Sequence, residues 1–197
     1  ALIISNDGYD FIHIYVSALA LILTYLLLKE AKIITSVKRL SHLYNPVRIG
    51  MTFSFLAGLA LLGIKGMLPL SREFIWLSSL VIISIIAYLV SLLFKDLDIT
   101  EKRTKITIYG ITLLTILPTA LSPAISGAIL IIFLSFLVNY KTGLILGIVS
   151  FIYFISQYYY DLNFTLLTKS ILLFLSGILF LLLYLLTYKK LSSNEKV

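Results

Sequence analysis

The residues best suited to chemistry lie together late in the chain. Gln157-Tyr158-Tyr159-Tyr160-Asp161-Leu162-Asn163-Phe164-Thr165 is followed by Lys169 and Ser170. Thr165 and Lys169 are four residues apart, so a helix puts them on one face. Apolar runs flank this segment, and an ammonium group in such a setting is costly unless it snorkels or is paired. Asp161 is the natural partner. An ionisable pair beside phenols and hydroxyls suits a ligand or partner site, and Gln157, Tyr158, Tyr159, Tyr160, Asp161, Thr165, Lys169 and Ser170 are its candidate residues. The competing account is structural: tyrosines form an aromatic belt at the bilayer interface, and Lys169 contacts Asp161 or snorkels.

Two further polar patterns sit inside apolar runs. Ser150, Tyr153, Gln157 and Tyr160 recur at spacings of three and four, and so do Thr112, Thr115, Thr119 and Ser122. Polar stripes in a membrane helix should face protein or a water-filled cavity. A pocket lining and interhelical hydrogen bonding both fit, and threonine can also bond its own helix backbone. Pro118 could bend its helix. Gly143 and Gly147 form a GxxxG pattern that lets two helix backbones approach closely. His13, with Asp10 one turn before and Ser17 one turn after, reads as an interfacial cap, although an Asp–His pair could share a proton.

The elements that must position these groups are membrane helices. Of the 197 residues, 60% are hydrophobic and 13% charged, and the mean hydropathy is +1.05. A span needs about 20 mainly apolar residues. Seven runs approach that length: Tyr9 to Leu28, Ile49 to Leu68, Phe74 to Phe94, Ile106 to Leu121, Ala124 to Tyr140, Thr142 to Tyr160 and Phe164 to Tyr188. Between the first two, Ile33, Ile34, Val37, Leu40 and Leu43 suggest an amphipathic interface helix, ended by Asn45-Pro46. Lys65 should snorkel, and Trp76 should anchor at the outer interface. The expected fold is all-α: one polytopic membrane domain over residues 1–197 with about seven transmembrane helices.

Placing the N-terminus outside and the C-terminus inside leaves only Lys65, Arg72 and Lys169 of the 16 basic residues on the outer half, as the positive-inside rule requires. The net charge of +7 therefore sets orientation and meets anionic lipid; it does not point to nucleic acid. The chain has no cysteine, which excludes disulfides and thiolate chemistry within it. It contains no HExxH, GxSxG or Walker loop. Asp96, Asp98 and Glu101 are interspersed with basic residues and do not suit a divalent metal. No cofactor is implied. The absent initial methionine points to a fragment or processed product.

The last third resembles a known family. Ser122-Pro123-Ala124-Ile125, Gly143-Leu144-Ile145-Leu146-Gly147, Tyr158-Tyr159-Tyr160-Asp161-Leu162, Thr165-Leu166-Leu167-Thr168-Lys169-Ser170 and Ser176-Gly177 follow in that order. This resembles bacterial multi-pass proteins of domain of unknown function 4401, related to the DUF-2157 membrane proteins, over roughly Leu121 to Tyr188. The resemblance implies a bacterial inner-membrane location and longer relatives. It also implies a second membrane-anchored protein, of the GDYxxLxY type, as a partner beside the lipid bilayer. It carries no established activity. Three functions compete: a non-enzymatic scaffold or subunit of an envelope complex, a small-ligand carrier with a pocket between the fourth, sixth and seventh helices, and an intramembrane lipid-modifying enzyme in which Lys169, Asp161 and His13 converge.

Overall fold

The computed structural model describes residues 7–30, 41–63, 75–98, 101–161 and 165–194. These form seven α-helices and one 3-10 segment, with no strand among the described residues. The helices are α1 (Asp7–Leu28), α2 (Ser41–Gly63), α3 (Ile75–Asp96), α4 (Lys102–Ile116), α5 (Pro123–Leu137), α6 (Lys141–Asp161) and α7 (Leu166–Asn194). The protein is a helical membrane bundle. The expected interface helix around Ile33 to Leu40, together with Lys65, Arg72 and the Asp10 side chain, lies outside what is described.

Among the described residues, four stretches are long and apolar enough to cross a bilayer: Phe11–Leu28, Leu43–Gly63, Trp76–Asp96 and Lys141–Asp161. The fourth and fifth helices are shorter than expected, at 15 residues each. At 1.5 Å per residue that is about 22 Å, against roughly 30 Å of hydrocarbon. Proline ends the first of them, whereas α5 is closed at Leu137 by the turn at Asn139. Pro118 lacks an N–H and its ring opposes the carbonyl four residues back. The α-helix therefore ends at Ile116 and tightens into a 3-10 turn over Leu117–Leu121. Pro123 then starts α5, in the first-turn position that proline tolerates.

Pro46 behaves differently. It was expected to close a segment before the second helix, yet α2 runs through it from Ser41. The residue lies just past the first turn, so it forfeits a single intrahelical bond. The consequence is that Arg48 sits inside a helix rather than in an interfacial loop.

The chain divides into two compact units, Ala1–Tyr158 and Tyr159–Val197. In the first, α5 is the most deeply buried element. Ten of its residues are enclosed, and it packs against α1, α2 and α3. The core comprises Val16 and Leu23 of α1, Phe55 and Leu59 of α2, Ile82, Ile86 and Leu89 of α3, and Leu130, Ile131 and Leu134 of α5. Lipid is as apolar as leucine, so dispersion and close fit hold these helices together rather than escape from water. Ala124, Gly127 and Ala128 on α5 permit that fit. Gly147 on α6 faces Ile131 and Ile132, where an added Cβ would meet the Ile132 backbone nitrogen at 3.1 Å.

In the second unit the described side chains of α7 are exposed, except that of Lys169, which is half-buried.

Candidate functional site

The densest polar constellation among the described residues forms around Arg48, in the first unit. Its Nη1 meets Glu30 Oε1 at 3.2 Å, and its Nη2 donates to Asn45 Oδ1 at 2.8 Å. The guanidinium lies over two aromatic rings, 3.9 Å from the Tyr140 centroid and 5.4 Å from that of Tyr44. Ring faces carry negative charge and attract a cation most strongly when it is desolvated. The Arg48 side chain is only 15% exposed, and that of Glu30 27%.

Three chain segments supply these groups, each for a local reason. Glu30 lies two residues past the end of α1. Tyr44, Asn45 and Arg48 occupy the first two turns of α2. The Tyr44 hydroxyl donates to the Leu26 carbonyl at 3.1 Å, serving one of the orphan acceptors at the end of α1. Tyr140 comes from the corner between α5 and α6. There Asn139 adopts φ 56°, a left-handed conformation that asparagine accepts more readily than most residues. The Tyr140 N–H bonds back to the Ser135 carbonyl at 2.8 Å and the Asn139 N–H to Phe136 at 3.2 Å, which is the Schellman closure of a helix. That closure folds Tyr140 back onto the bundle, where it is buried. Gly143 leaves room for its ring: an added Cβ would collide with Tyr140 and reach Ser135 Oγ at 2.5 Å.

A guanidinium stays protonated at any physiological pH. Arg48 itself therefore exchanges no proton. It joins the end of α1, the start of α2 and the α5–α6 corner through charge. Among the described residues, Arg48 Nε, Tyr140 OH and Ser135 Oγ are buried without a hydrogen-bond partner.

The residues singled out from sequence are distributed as follows. Gln157 is half-buried, and Tyr158 packs against the hydrophobic core. Tyr159 and Asp161 are half-buried, while Tyr160, Thr165 and Ser170 are exposed. Leu162, Asn163 and Phe164 lie outside the described residues. Lys169 Nζ donates to the Tyr159 carbonyl at 2.8 Å and sits 4.9 Å from the centre of the Tyr159 ring. That carbonyl belongs to the last turn of α6, whose acceptors lack helical donors and carry the negative end of the dipole. The lysine thus caps a helix terminus. Thr165 receives the Thr168 N–H at 3.3 Å, capping the start of α7.

The polar stripe of α6 flanks its packing face. Gly143, Gly147 and Phe154 are buried, Ser150 and Gln157 half-buried, Tyr153 and Tyr160 exposed. On α4, Thr112 bonds the Ile108 carbonyl and Thr115 those of Ile111 and Thr112; Thr119, in the 3-10 turn, bonds that of Ile116. These hydroxyls are satisfied within their own backbone.

His13 is not the interfacial cap expected of it. It is 1% exposed, with Nδ1 3.1 Å from Ser78 Oγ across the α1–α3 contact. Its helix packs that face inward, and Ser78 and Ser79 are fully enclosed beside it. Arg48 belongs to the basic residues that the positive-inside rule puts on the inner half, and that placement does not reveal the cluster around it. The available signal was an arginine two residues after a proline at the head of an apolar run, which admits a helix start as readily as a loop.

The profile of a protein family described as Domain of unknown function (DUF4401) matches residues 1–190, a wider span than the Leu121 to Tyr188 motifs that suggested it. No curated protein and no solved structure matches the chain.

Proposed function

The chain belongs to the family described as Domain of unknown function (DUF4401), and from that premise we propose that it is a non-enzymatic scaffold or subunit of an envelope membrane complex. In this reading residues 1–197 act as one multi-pass domain of the bacterial inner membrane, akin to the DUF-2157 proteins, with the N-terminus outside. Its partner is a second membrane-anchored protein.

The observation that carries the proposal is how the polar groups are used. Lys169 is engaged by the Tyr159 carbonyl, the α4 threonines bond their own backbone, and Arg48 is closed in by Glu30 and two rings. Such groups hold helices in place and leave little for turnover. The enzyme alternative is weakened because His13 is enclosed against Ser78. The carrier alternative is weakened because the α4 hydroxyls already have acceptors.

The test is co-expression with a membrane-anchored protein of the GDYxxLxY type, followed by extraction into lipid nanodiscs. The expected result is a particle of fixed stoichiometry heavier than the 22.2 kDa chain. A folded chain that always emerges alone overturns the proposal. Lys169→Met in the same preparation should lower stability by about 1 kcal/mol, as loss of a half-exposed charge-assisted hydrogen bond, and leave the particle intact. Lys169→Arg should restore most of the loss. Chemical unfolding followed by circular dichroism reads both.

A further inference from the structure

A groove of about 450 Å³ runs between α1 and α3. Leu21, Tyr25 and Leu28 form one wall, and Leu80, Ile85 and Tyr88 the other. Spacings of four and three put the α1 set on one helix face, and Leu80, Ser84 and Tyr88 follow one another every four residues on α3, over roughly 12 Å of helix rise. Both helices belong to the stretches able to cross a bilayer, so the groove lies alongside acyl chains. Besides the two tyrosines, two hydroxyls reach its lining, and both donate to their own helix: Thr24 to the Ala20 carbonyl at 2.6 Å and Ser84 to that of Leu80 at 2.8 Å. The walls are apolar in effect.

One end is not apolar. Lys29 lines the groove there, is exposed, and joins no ion pair among the described residues. The nearest carboxylate in sequence, Glu30, is held by Arg48. One turn before Lys29, Tyr25 presents a ring to the groove, and Tyr88 does the same from α3. Tyrosines suit the depth at which hydrocarbon gives way to headgroups. An apolar channel ending in a free cation is complementary to one molecule of the surroundings: a lipid with an apolar tail and an anionic head.

We infer that this groove is a binding site for an anionic phospholipid, its acyl chain between α1 and α3 and its phosphate at Lys29. The site depends on the membrane character of the chain and not on the partner proposed above.

The test uses the full chain in phosphatidylcholine vesicles, with the single tryptophan moved into the groove as Trp76→Phe with Tyr88→Trp. Brominated phosphatidylglycerol and brominated phosphatidylcholine are compared as quenchers. The expected result is about fivefold preference for phosphatidylglycerol, the roughly 1 kcal/mol that one basic residue contributes at an anionic surface. Lys29→Gln should abolish the preference, Lys29→Arg should keep it, and Lys95→Gln, an exposed cation outside the groove, should leave it unchanged. Equal quenching by the two lipids overturns the site, as does an equal loss from Lys95→Gln, which marks general surface charge. Absence of quenching also overturns it, because a protein helix then fills the groove.

Discussion

Arg48→Met is expected to destabilise the Ala1–Tyr158 unit by about 3 kcal/mol, more than a hundredfold in the unfolding equilibrium. Glu30 would be left with a carboxylate largely withdrawn from water and no counter-ion. Tyr140 and Tyr44 would lose the cation over their faces. Removing one partner of a fully buried pair costs 3–5 kcal/mol, and the residual exposure of both side chains places this case at the lower end. Arg48→Lys should recover roughly half, since a lysine keeps the charge but cannot fork between Glu30 and Asn45 or stack flat on a ring. Arg48→Met with Glu30→Gln should be less damaging than Arg48→Met alone, because the stranded charge is gone. Unfolding in mixed micelles measures all three. An Arg48→Met midpoint within about 0.5 kcal/mol of the parent would mean that the cluster carries no stability.

Gly127→Val should cost a similar amount for the opposite reason. A Cβ at Gly127 would stand 2.5 Å from both Leu59 methyls, and Leu59 is fully buried, so that side chain must shift within a packed core. Overpacking a tight core costs about 1–3 kcal/mol and sometimes more. Leu59→Ala alone should cost about 2–5 kcal/mol through the cavity it leaves. The double variant should cost clearly less than the two effects added, since the new side chain fills that cavity. Strict additivity would show that α2 and α5 do not meet at this point.

The places of the seven described helices were legible because long apolar runs have few alternatives in a chain of this composition, although only four of the stretches are long and apolar enough to span. Their ends were less so. Pro46 and Pro118 look alike in sequence, yet one lies near a helix start and is tolerated while the other ends its helix. Position along the helix decides between them, and that depends on where the helix begins. The candidate site divides in the same way. Lys169 announced itself, since an ammonium group among apolar residues must find an acceptor. Its acceptor is a backbone carbonyl, which leaves no trace in residue identity. Arg48 was hidden because its charge resembled that of the neighbouring loop residues, and because Tyr140 reaches it only through the left-handed turn at Asn139. His13 misled for a related reason. Its neighbours Asp10 and Ser17 suggested a helix cap, while Ser78, which its ring nitrogen meets, comes from another helix.

The Schellman corner at Asn139 also has a consequence in time. Glu30 and Arg48 leave the ribosome close together, so their ion pair is available as soon as α1 and α2 exist. Tyr140 is made much later, on the order of 10 s at ordinary translation speeds. Throughout that interval the guanidinium has one ring, not two. The Glu30–Arg48 pair is thus available to α1 and α2 before α5 is made, and Tyr140 completes the cluster only after the end of α5 has turned back.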